Sequence, residues 1–224
     1  MNILQYIDSF FSDSAQWNGY DGIPTRVLEH IQYTLMALGI AAAVGLPVGL
    51  VTGHTGRGGN ILALIATAGR ALPSFGLMVL MFVLLGLGLA PVMIPLVVLA
   101  IPPILVTTYE AVRSVDPAPV DAARGMGMAE PAILFRVEVP VALPLIFSGL
   151  RSAAIQIVST ATIAAYVSFG GLGRYIVDGL YQRNYEKVVG GATLVAVMAL
   201  ATLGLFWAIG RATVSRGVRR SGTA

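Results

Sequence analysis

Four stretches of this chain, residues 30–56, 71–109, 152–173 and 188–210, contain no Asp, Glu, Lys or Arg. A helix that crosses the hydrocarbon of a bilayer needs about 20 predominantly apolar residues. Three of the stretches therefore hold one span each, and 71–109, extended back over 60–69, holds two. Composition agrees: 56% of the residues are hydrophobic and 11% are charged, against about 25% charged in a soluble domain. The expected fold class is an all-α polytopic membrane protein with about five transmembrane helices.

The polar residues between the spans set the orientation. With the long polar segment 114–140 placed inside, Arg57, Arg70, Arg113, Arg124, Arg136, Arg151, Arg211, Arg216, Arg219 and Arg220 fall on or near the inner face. Arg26, Arg174, Arg183 and Lys187 fall outside. This asymmetry obeys the positive-inside rule and puts the N-terminus outside and the C-terminus in the cytoplasm. The net charge of +3 is scattered, so it is read as a topology signal and not as a nucleic-acid surface. Residues 1–29 carry Asp8, Asp13, Asp21, Arg26 and Glu29 and lack the pattern of a cleavable signal peptide. They are read as an extracytoplasmic lead with an amphipathic helix whose stripe is Ile3, Leu4, Tyr6, Ile7, Phe10 and Phe11. That stripe suits either the membrane surface or packing on the protein itself. Residues 30–212 form one transmembrane domain, and 213–224 a basic cytoplasmic tail.

Within 114–140 the most informative run is Asp121 to Pro140. Asp116-Pro117 is a helix start, because Asp caps orphan N–H groups and Pro is pre-set for the first turn. Ala122, Ala123, Gly125 and Gly127 follow, small residues that leave a helix face open to another surface. Glu130-Pro131 starts a second helix, and Pro140 and Pro144 mark further bends. The spacing resembles the cytoplasmic coupling loop of bacterial ABC-importer permeases: Glu-Ala-Ala, three residues, Gly, nine residues, Ile, any residue, Leu-Pro. Here Asp121-Ala122-Ala123 stands for Glu-Ala-Ala, Gly127 takes the glycine position, and Val137, Glu138, Val139 and Pro140 complete the pattern.

Two further segments resemble the osmoprotectant class of these permeases. Arg70-Ala-Leu-Pro73-Ser74 interrupts the second span as in a broken helix, and either snorkels to the inner face or lines the path. Gly170, Gly171 and Gly173 sit in a Gly-Gly-Leu-Gly run after the fourth span, read as an external gate or a turn. The fourth span itself is the most polar. Ser148, Ser152, Gln156 and Ser159 recur at spacings that place them on one face, suited to a hydrophilic path, although Ser and Thr can also bond back to their own helix. Residues 174–187 are expected to be an outer loop.

Much chemistry is excluded. Without cysteine there are no disulfides or thiolate metal sites. There is no phosphate-cradling Gly-x-x-x-x-Gly-Lys-Ser/Thr and no Gly-x-Ser-x-Gly. His30 and His54 are too few for a metal cluster and read as structural. No catalytic residue is expected.

The resemblance implies a type I ABC-importer permease that moves quaternary ammonium osmoprotectants such as glycine betaine, choline or carnitine by alternating access. It implies two ABC ATPase subunits carrying ATP and Mg, a second permease subunit, and an extracytoplasmic solute-binding protein. It implies coupling through Asp121, Ala122, Ala123, Gly125, Gly127, Val137 and Pro140. The nearest alternatives are a permease for methionine or another small amino-acid-like solute, and an ATP-independent channel or secondary transporter. The latter would want membrane-embedded carboxylates.

Overall fold

The computed structural model describes residues 2–167 and 169–213. The tail beyond Thr213, Ser168 and the Arg70 side chain lie outside the described residues. Every regular element described is helical. Helix α1 spans Ile3–Ser12, α2 Ile23–Thr55, α3 Gly59–Ala71, α4 Ser74–Leu85 and α5 Ala90–Arg113. Then come α6 Pro117–Gly125, the short α7 Glu130–Ile133, α8 Val139–Ala161, α9 Gly173–Tyr181 and α10 Tyr185–Thr213. Leu134–Glu138 is a π-helical turn and Thr162–Val167 a 3-10 segment. Among the described residues, α2, α5, the run Glu130–Val167 and α10 are each long and apolar enough to cross a membrane. Gly59–Gly69 and Ser74–Leu85, separated by a short break that contains Pro73, together make a fifth candidate span by length and composition.

The spans run past the charge-free stretches, and the reason is local pairing. Helix α2 starts at Ile23 rather than near residue 31. Arg26 and Glu29 sit in its first turns but bind each other at 2.8 Å, and Arg26 also pairs with Asp21. The segment 174–187, expected to be an outer loop, contains α9. Its Tyr175 and Val177 are buried and Arg174 pairs with Asp178 at 2.9 Å, one helical turn away.

The chain divides into two compact units, and α2, α5, α8 and α10 each contribute to both. One unit holds the chain up to Gly39, Leu72–Ala100 and Ala154–Thr202. Phe10 of α1 is buried here against Ile23, Leu172 and Tyr175, whereas Ile3 and Leu4 remain exposed. Thus α1 docks through its C-terminal half and leaves an apolar edge outward. The Tyr175 hydroxyl donates to the Asp21 carbonyl at 2.7 Å, and burial pushes its pKa up to about 12, so it stays a donor.

The second unit holds Ile40–Ala71, Ile101–Ala153 and the segment from Leu203. Its seam is set by glycines. Gly45, Gly49 and Gly53 of α2 face Ile104, Thr108 and Val112 of α5, each a helical turn apart. A Cβ at Gly49 would stand 2.7 Å from Thr108 Cβ and 2.8 Å from the Leu105 carbonyl oxygen. In lipid, helices associate by such close packing because water expulsion does not drive them together. Gly149 of α8 meets α5 the same way, at Thr107 and Pro103.

Candidate functional site

Helix α6 is built as its sequence demands. The Asp116 carboxylate accepts from the Ala118 N–H at 2.9 Å, and Pro117 takes the first helical position. The helix ends in a Schellman motif: Met128 N–H donates to Ala123 O at 3.1 Å and Gly127 N–H to Arg124 O at 3.0 Å. Gly127 closes the motif in the left-handed region, at φ 82°. Met128 then packs beside Val120, Ala123 and Ile133. So Gly127 serves the helix end, and Ala123 faces the protein.

Asp121, Ala122 and Gly125 lie on the outward face of α6, and Gly127 is exposed just past its end. An added Cβ at Gly125 or Gly127 would touch nothing within 4 Å. Met126, not singled out by the sequence pattern, is 79% exposed at the tip. Val137 is half-buried beside this cluster, and Pro140 is exposed in the first turn of α8.

A polar network supports this face. Arg124 reaches Glu130 through Nε at 2.7 Å and Nη2 at 3.0 Å, and Asp121 through Nη1 at 3.1 Å. The Glu130 carboxylate holds the Arg124 guanidinium still further above its usual range. His54 closes α2 with Nε2 3.1 Å from Glu130 Oε2 and Nδ1 2.6 Å from Glu138 Oε2. Among the described residues no group of three His, Cys, Asp or Glu is arranged to hold a metal. The signal for this cluster lay in Glu138, a lone carboxylate inside the apolar run Val137–Leu145, because such a group needs a partner when buried.

The Gly-Gly-Leu-Gly segment is held by the other end of α2. Gly171, at φ 87°, donates its N–H to Glu29 Oε2 at 2.7 Å. Leu172 N–H donates to His30 Nδ1 at 3.3 Å. That bond fixes Nδ1 as the acceptor, so Nε2 carries the proton and donates to Val158 O at 3.0 Å. His30 is fully buried and structural, a brace for the turn. A Cβ at Gly170 would run into Glu29, and one at Gly173 into the Thr162 backbone.

On α8 the buried face is Ala142, Ile146, Ala153, Ile157 and Ala161. Ser148, Ser152, Gln156 and Ser159 lie away from it, exposed or half-buried. Ser159 bonds back to Ile155 O at 3.0 Å. Ser148 accepts from Arg151 at 3.4 Å and lines a groove of about 250 Å³ with Phe147 and Trp207. In the broken second span, Pro73 caps α4 and Ser74 begins it, with Arg70 in the last turn of α3.

Known proteins are similar to this chain over most of its length. The carnitine transport permease protein OpuCB of Listeria monocytogenes is 31% identical over 88% of each chain. The choline transport system permease protein OpuBB of Bacillus subtilis is 32% identical over 78% of this chain and 81% of that protein. Among solved structures, the inward-facing MetNI methionine ABC transporter contains a chain that superposes with a TM-score of 0.75 at 25% identity, covering 87% of this chain and 96% of that one. The family described as binding-protein-dependent transport system inner membrane component matches over residues 45–220. With its helical membrane architecture and its exposed inter-span helix, this chain belongs to that family of multi-pass ABC permease subunits.

Proposed function

We propose that this chain is the permease subunit of an ATP-driven importer for quaternary ammonium osmoprotectants, the class of carnitine, choline and glycine betaine, in a bacterial inner membrane. The observation that carries this reading is α6, a capped helix whose open face holds Asp121 and Ala122, with Gly127 just past its end at the family spacing and Gly125 bare between them. The solute class is supported by relatives named for carnitine and choline that align over most of the chain.

In this reading two ATPase subunits, which bind ATP and Mg, each grip an α6 of a permease pair. Their closure drives alternating access, while a solute-binding protein delivers from outside. The second permease subunit is a copy of this chain or a relative. The path is assigned to the broken second span at Arg70, Pro73 and Ser74, and to the α8 stripe Ser148, Ser152, Gln156 and Ser159. The gate is assigned to Gly170, Gly171 and Gly173. This chain supplies no catalysis.

The test is uptake into proteoliposomes that contain the assembled transporter and its binding protein. ATP-dependent accumulation of labelled carnitine, choline or glycine betaine, with none of methionine, is the expected result. Methionine uptake, or uptake without nucleotide, would overturn it.

A further inference from the structure

Helix α2 has no short covalent link to α6. Helices α5 and α8 flank α6 directly in sequence, through residues 114–116 and through α7 with its π-helical turn. Force on α6 thus reaches those two spans along the backbone, but reaches α2 only across side chains. Leu46 and Leu50 of α2 pack near Leu134 and Ala142, and apolar surfaces of this kind can shear past each other. His54 supplies a directional contact. Its ring lies between Glu138 and Glu130, at 2.6 Å and 3.1 Å, and Glu130 is in turn held by Arg124 of α6. The His54 and Glu138 side chains are 12% and 8% exposed, so this pair is weakly screened by solvent. Gly53, beside His54, lets α2 sit so close to α5 that a Cβ there would be 2.8 Å from Val112 Cβ. His54 therefore stands on a firmly seated turn.

We propose that His54 is a positioning residue for energy coupling, fastening α2 to α6 through Glu130 and Glu138 so that movement imposed on α6 is transmitted to the first span. The proposal rests on reading α6 as the ATPase-docking helix. Carboxylates only accept, so each contact is a hydrogen bond where the facing ring nitrogen carries the proton. Arg124, Asp121, Glu130 and Glu138 are the charged groups the network gathers around this ring. Helix α2 also bears Glu29 and His30, whose contacts hold Gly171 and Leu172. A span fastened at His54 would pass α6 movement to a helix that braces the proposed gate.

The experiment measures ATP hydrolysed per solute delivered in the reconstituted transporter with its binding protein. In His54→Gln and in Glu138→Gln the ATPase subunits stay bound and this ratio rises about fivefold, the lower end of typical coupling effects. The double variant H54Q/E138Q is no worse than His54→Gln alone, because that single variant already removes the contact to Glu138. His54→Lys, which returns a long hydrogen-bond donor to the side of Glu138, lowers the ratio again. Should a single variant fail to assemble because a buried charge lost its partner, the double variant buries no unpaired charge and decides on the same ratio. An unchanged ratio with less assembled protein would make His54 a structural brace and overturn the proposal. Wild-type protein that neither binds the ATPase nor couples its hydrolysis would overturn the docking reading itself, and the latch with it.

Discussion

Gly127 illustrates how one residue can carry two separable demands. Its φ of 82° is needed to end α6, and a non-glycine residue in the left-handed region costs about 1–2 kcal/mol. Gly125 has no positive φ, and a Cβ there meets nothing. We expect Gly127→Ala to lower stability by about 1 kcal/mol, and Gly127→Asn by less, because Asn tolerates this conformation. Gly125→Arg should leave the fold intact and abolish ATP-driven uptake by blocking the proposed docking face. Thermal melts in detergent read the first effect, and co-purification of the ATPase with uptake reads the second. At the proposed gate, Gly171→Val combines a strained φ with a Cβ 3.2 Å from His30 Nδ1. Such strain costs roughly 1–3 kcal/mol, and uptake should fall while membrane insertion persists. Normal uptake by that variant would reduce the segment to a passive turn.

At the scale of elements, the seam between α2 and α5 is the least forgiving. Gly49→Val would force a branched side chain into a gap where even a Cβ lies at 2.7 Å from its neighbour. Overpacking of this kind costs typically about 1–3 kcal/mol, so a lower melting temperature is expected. Gly39→Ala, farther along α2 where a Cβ meets nothing, serves as the control. Small residues in the first span were legible as a packing surface from sequence alone. Which of them face α5 was not, because that depends on the rotation of α2 about its axis. The helix α9 escaped notice because its charges read as loop, yet Arg174 and Asp178 pair with each other at helical spacing. Likewise the start of α2 was hidden by Arg26 and Glu29, whose mutual pairing lets a charged turn extend an apolar span.

For the whole molecule, the membrane class, the broken second span and the helix at 117–125 were all readable, since charge-free windows and Pro positions fix them. The polar cluster at its base was not. His54 and Glu138 are 84 residues apart, and only the folded chain brings them together. What pattern matching offered as a bare glycine face divides into an exposed edge and a buried Ala123 that anchors it.

The proposed function requires above all that α6 face the cytoplasm and receive a separate motor. The chain has no cysteine, so Gly125→Cys provides a unique thiol. The decisive measurement is its labelling by a membrane-impermeant maleimide, in right-side-out and inside-out vesicles, with the ATPase bound or stripped. Labelling only in stripped inside-out vesicles, with protection when the ATPase is bound, is the predicted result. Labelling from the outside, or labelling indifferent to the ATPase, would contradict it.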